Sequence, residues 1–131
     1  MPDELIEKLL KAGKFNQGFI NTEYLAASLL DMDWHTMSVL DAQNISNNFE
    51  KNSMNNIGLI DQIAPRYRST YFAHIFSGGY SSGYYSYVHA AVLDSDAFEA
   101  FKEVGNVFDP ELSSKLRKEI YEKGSTEEAM D

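Results

Sequence analysis

Apolar residues recur along most of this chain at spacings of three and four, the period of a helix with one buried face. Leu5, Ile6, Leu9 and Leu10 form a first stripe. Pro2 suits the start of that helix, Asp3 and Glu4 favour its positive end, and Gly13 stops it. A second, longer helix is expected from Asn21 or Thr22 to Met37. There Leu25, Leu29, Met32 and Thr36 or Val39 keep the period, and Ala26 and Ala27 permit close contact. From Asp41 to Asn56 the chain is polar, but Ile45, Phe49 and Met54 hold a loose helical rhythm and predict a third helix. Gly58 and Pro65 bracket an irregular passage, since proline turns Ala64 away from helical geometry.

Tyr71 to Phe76 reads as a helical turn or two ending at Gly78-Gly79. A new helix is expected from Ser81 or Ser82 to Leu93, and Asp94, Ser95 and Asp96 would cap another carrying Phe98 and Phe101. The last helix has Asp109 as cap, Pro110 in first position, Glu111 beside the dipole and Gly124 as stop. The closing S-T-E-E-A-M-D, residues 125–131, is polar and expected to fray. Strand signals are weak, with 67–75 the one contender. The pattern predicts an all-α fold in which residues 1–131 form a single helical subdomain.

Composition narrows the function more than the fold. With 131 residues, 44% of them hydrophobic, the chain can bury one core. A net charge of -9, with only eleven scattered Lys and Arg, argues against a nucleic-acid partner. No cysteine is present, so disulfides and thiolate metal sites are excluded and the compartment is left open. No apolar run approaches the roughly 18 residues of a membrane span, so no membrane partner is expected. The opening Met1-Pro2-Asp3-Glu4 carries acids in place of a basic signal region.

Candidate chemistry concentrates between Tyr71 and Leu93, which holds five of the eight tyrosines and two of the three histidines around Gly78-Gly79. If Ser82 to Leu93 is helical, Tyr80, Tyr84 and Tyr87 share one face and Tyr85 points to the core. A phenol at its ordinary pKa is a neutral donor suited to a developing oxyanion. The two glycines would let the backbone flex, or approach a ligand closely, just before that face. Half-buried tyrosines with surface hydroxyls are the plain alternative. For His74, a donor role beside the tyrosines competes with a structural imidazole.

Other chemistries find no support. H-E-x-x-H is absent, as is any pair of histidines four apart, so no metal ligands are expected within this chain. His35 follows Trp34 with no second histidine near it. No G-x-S-x-G elbow exists, and Ser77, Ser81 and Ser82 lack an evident base. Arg66 and Arg68 could clamp a carboxylate, but salt bridges to the chain's surplus acids are the simpler expectation.

Three stretches together resemble a known family: F-N-Q-G-F (Phe15 to Phe19), T-E-Y-L-A-A-S-L-L-D-M-D-W-H (Thr22 to His35), and A-P-R-Y-R-S-T-Y-F-A-H-I-F-S-G-G-Y-S-S-G-Y-Y-S-Y (Ala64 to Tyr87). They resemble the C-terminal part of bacterial peptidyl-dipeptidases, dipeptidyl carboxypeptidases grouped with thimet oligopeptidase and oligopeptidase A among the zinc oligopeptidases. V-L-D-S-D-A-F-E-A-F and F-D-P-E continue the likeness, which covers nearly the whole chain. The resemblance implies a zinc ion held by H-E-x-x-H and a glutamate on the next helix, with the motif's own glutamate as general base. Those positions lie upstream of the matched part, so zinc belongs to the complete enzyme and no cofactor is expected in this chain.

By the same likeness, His74 contacts the substrate backbone. Tyr80, after the flexible Gly78-Gly79, closes on the substrate, Tyr84 is a neighbouring contact, and Tyr87 faces the tetrahedral oxyanion. This reading displaces the plain one for these rings. Two departures stand out: His89 and Ala91 replace the Trp and acidic residue usual after the last tyrosine. The chain also stops short of the usual C-terminal segment, so a fragment or degraded copy of a longer enzyme is expected. It would bind oligopeptide and stabilise the transition state in the complete peptidase, and would be inactive alone. The alternative is a non-catalytic helical module, from a decayed peptidase, that binds a peptide or protein. Uncovered apolar faces would favour a homo-oligomer.

Overall fold

Helix α2 (Gln17–Thr36) organises the first part of the structure, and its buried side is not the one its leucines advertise. In this computed structural model, which describes residues 1–43 and 48–126, Ala26, Ala27, Ser28, Leu30 and Asp31 are buried. Leu25 and Leu29 stand 50% and 45% exposed. Small side chains let neighbouring segments approach closely, and that contact decided which face turned inward. Two clusters result, one of Ala27, Phe72, Ile75 and Tyr84, the other of Ala26, Leu30 and Met54. Trp34 packs against both, and its indole N–H donates to Ser69 Oγ at 2.9 Å.

Around α2 lie α1 (Asp3–Gly13), α3 (Val39–Gln43), α4 (Phe49–Asn56) and α5 (Ala73–Phe76), with a 3₁₀ turn at Ser69–Tyr71. The first helix ends at Gly13 as expected, and no residue of it is buried. The second begins earlier than Thr22, because the Thr22 hydroxyl donates back to Gly18 O inside the helix and does not cap it. The helix expected over Asp41–Asn56 is two short helices, α3 and α4. Ile45, part of the rhythm behind that expectation, lies outside the described residues. The passage from Gly58 to Pro65 is irregular, as its glycine and proline imply.

The chain divides into two compact units, Met1–Ser86 and Tyr87–Asp131. In the second, α6 (Ser86–Val104) is followed by α7 (Pro110–Leu116) and one π-helical turn at Arg117–Tyr121. A single α6 replaces the two helices expected over this stretch, in two respects. Residues 81–85 are turns, and the helix starts only at Ser86. Asp94-Ser95-Asp96 does not cap a new helix, since the Ser95 hydroxyl donates to Ala91 O within α6. The cap at Asp109 is present, its carboxylate accepting the Leu112 N–H at 2.9 Å. Gly124 follows with a positive φ of 55°. Of the tail expected to fray, 127–131 lies outside the described residues. No strand occurs among the described residues, and the fold class is all-α.

Candidate functional site

The glycine–tyrosine segment is a loop wound back on the last turn of α5. Ser77 N–H and Gly78 N–H both donate to Ala73 O at 2.8 Å, and Tyr80 N–H donates to His74 O at 3.0 Å. Gly78 is required by this closeness: a Cβ there would stand 2.9 Å from both Cα and O of His74. Gly79 turns the chain at φ 82°, a conformation open to glycine and costly to other residues. Close approach and a left-handed turn are thus the uses found for the pair.

Ser82 also has a positive φ, 53°, without being glycine. Its N–H donates to Asp31 Oδ1, and the Tyr84 N–H donates to Asp31 Oδ2, each at 2.9 Å. Asp31 is fully buried on α2. Its Oδ1 also lies 2.8 Å from His35 Nδ1, one turn along the helix, and its backbone O lies 2.9 Å from the same nitrogen. Both of those oxygens are acceptors, so His35 Nδ1 must carry the hydrogen. The Tyr24 hydroxyl holds the loop a second time, donating to Tyr84 O at 3.1 Å. Burial raises the Tyr24 hydroxyl above its ordinary value of 10.0, against a smaller lowering pull from Arg66, whose guanidinium sits over the Tyr24 ring.

These bonds gather aromatic rings. His74 lies 5.0 Å from Tyr67, 5.7 Å from Tyr84 and 6.1 Å from Tyr80, centroid to centroid. Tyr67 stacks on Phe72 at 5.0 Å, and Tyr84 meets Phe72 edge-on at 4.8 Å. His74 is half-buried, Tyr80 is exposed, and Tyr84 is 3% exposed. The expectation that Tyr85 points to the core is overturned: Tyr84 does, and Tyr85 is 55% exposed. The shared helical face of Tyr80, Tyr84 and Tyr87 is also corrected. Tyr80 and Tyr84 sit in the loop, because Asp31 takes backbone N–H groups at Ser82 and Tyr84. Tyr87 is on α6 in the second unit, 40% exposed.

Sequence reasoning did not single out Asp31, although its signal was present: an aspartate four residues before a histidine on one helix. Arg68 behaves as the simpler expectation held, pairing with Glu50 at 3.1 Å. The same glutamate accepts from the Ser69 N–H and hydroxyl. No helix among the described residues is long and apolar enough to cross a membrane. Nor do three or more His, Asp or Glu converge among the described residues as metal ligands, so these residues do not fit a zinc site.

The chain is 41% identical to dipeptidyl carboxypeptidase of Escherichia coli over 98% of its own length and 19% of that protein's. It is 39% identical to the dipeptidyl carboxypeptidase of Salmonella typhimurium, over 96% of the chain and 18% of the relative. With oligopeptidase A of Haemophilus influenzae the identity is 31%, over 100% and 19%. The chain thus spans about a fifth of the length of these relatives. The pattern of Peptidase family M3 matches residues 1–131 and so takes in the entire loop and both helices that border it. On that match and those identities, the chain belongs to peptidase family M3.

Proposed function

We propose that this chain is the substrate-binding, transition-state-stabilising part of a peptidase that removes C-terminal dipeptides from oligopeptides. One observation carries the reading: the His74 ring on α5 stands 6.1 Å from that of the exposed Tyr80, on a loop whose backbone is tied to a buried carboxylate. His74, Gly78, Gly79, Tyr80 and Tyr84 form the substrate-facing group, with Tyr84 as the ring on which His74 packs. Tyr87 is assigned to the oxyanion, a role suited to a neutral phenolic donor. Zinc and the general base belong to other parts of the complete enzyme.

Alone, the chain is expected neither to hold catalytic zinc nor to cleave peptides. Turnover of a blocked tripeptide by the purified chain with added zinc tests this, and clear activity would sink it. The exposed stripe of Leu5, Ile6, Leu9 and Leu10 fits weak self-association of the isolated chain, since an open apolar patch favours its own burial.

A further inference from the structure

The loop at 77–85 is fastened in two ways. Bonds from Ser77, Gly78 and Tyr80 to the backbone of α5, and from Ser81 Oγ to Ile75 O at 2.7 Å, tie it to the segment just before it. Such bonds form wherever α5 forms and do not place the loop against the rest of the unit. Bonds to α2 do: the Tyr24 hydroxyl donates to Tyr84 O, and two separate oxygens of the Asp31 carboxylate take the N–H groups of Ser82 and Tyr84. A single bond would leave a swivel, whereas two fix orientation as well as position. The side chain that bears them has no exposed surface, and His35 Nδ1, which is hydrogen-bonded to the Asp31 backbone O, stands 2.8 Å from its Oδ1.

We propose that Asp31, oriented by His35, is the positioning residue that sets the geometry in which the Tyr80 loop and His74 receive a peptide. The inference rests on the reading of this loop as substrate-facing. Its physical basis is preorganisation: a loop already held in one geometry does not pay its ordering entropy when ligand arrives. Only a carboxylate serves. Asparagine keeps the size but offers one acceptor oxygen, and its amide would turn a donor toward one of two donating N–H groups. Ser82 at φ 53° is a conformation that a non-glycine residue keeps only where its surroundings impose it.

The test uses the ¹⁵N-labelled chain, a blocked tripeptide as probe, and NMR. In the unaltered chain the peptide should shift resonances of His74 and Tyr80. Asp31→Asn should move the Ser82 and Tyr84 amide protons upfield, speed their exchange, and weaken peptide binding roughly tenfold. Ser69→Ala, which removes bonds to Trp34 and Glu50 elsewhere in the same unit, should lower stability without changing peptide affinity. Asp31→Asn that folds and binds peptide as well as the unaltered chain overturns the positioning role alone. Should Asp31→Asn not fold, His35→Ala carries the test: it should displace the same two amides and weaken binding severalfold, and undiminished binding overturns the role. No peptide-induced shift in the unaltered chain fells the substrate-facing reading itself, and Asp31's role with it.

Discussion

The buried carboxylate of Asp31 accepts the backbone N–H of Tyr84 at 2.9 Å across 53 positions of sequence. That bond joins the middle of α2 to the end of a loop whose other fastenings are largely local. It also explains why residues 81–85 are not helical, since Ser82 and Tyr84 direct their N–H groups at α2 and not along a helix axis.

Removing the carboxylate should therefore cost stability. Asp31→Ala leaves two inward-facing N–H groups without their acceptor, a loss on the order of 2–4 kcal/mol. Urea denaturation of the two chains measures it, and a difference under about 0.5 kcal/mol would contradict the buried anchor.

The two glycines of the loop should separate by mechanism. Gly78→Ala forces a Cβ to 2.9 Å from His74 backbone atoms, and backbone cannot rotate out of the way. A loss of about 2–3 kcal/mol is expected. Gly79→Ala meets nothing within 4 Å but must hold φ 82°, at a cost of about 1–2 kcal/mol. Thermal melting should rank Gly78→Ala as the more damaging; the reverse order would refute the steric account.

At alkaline pH the Tyr24 hydroxyl provides a titration. Its value is raised by burial, so the folded chain holds this proton more tightly than the unfolded chain does. Its contribution to stability is whole below pH 10 and is lost as pH rises through the folded value. Ultraviolet titration of phenolate should show a component above 10 that Tyr24→Phe removes. Stability of Tyr24→Phe should accordingly fall less steeply over that window.

In the second unit, Asp109 caps α7 through the Leu112 N–H. Asp109→Ala should lower stability by about 1 kcal/mol, while Asp109→Ser or Asp109→Asn should restore most of it. Hydrogen exchange at Leu112 reads the cap directly: unchanged protection in Asp109→Ala would show that it contributes nothing.

For catalysis, Tyr87→Phe in a complete enzyme containing this chain should reduce kcat by roughly ten- to a thousandfold with a smaller change in KM, the pattern of a lost oxyanion donor. A change confined to KM would assign Tyr87 to substrate binding instead.

Local chemistry made much of this molecule legible in sequence. The stop at Gly13, the cap at Asp109 with Pro110 behind it, and the irregular passage from Gly58 to Pro65 each depend on residues within one turn of one another. So does the helical class as a whole, and the family match extends over residues 1–131. Tertiary structure decided which side of α2 faces inward, because Ala26 and Ala27 admit close neighbours that Leu25 and Leu29 would hold off. It also decided that Tyr84 and not Tyr85 enters the core, and that the helix waits until Ser86. Both outcomes follow from a carboxylate on α2 capturing N–H groups of a distant loop. A periodicity of three or four residues carries no trace of a bond between positions 31 and 84.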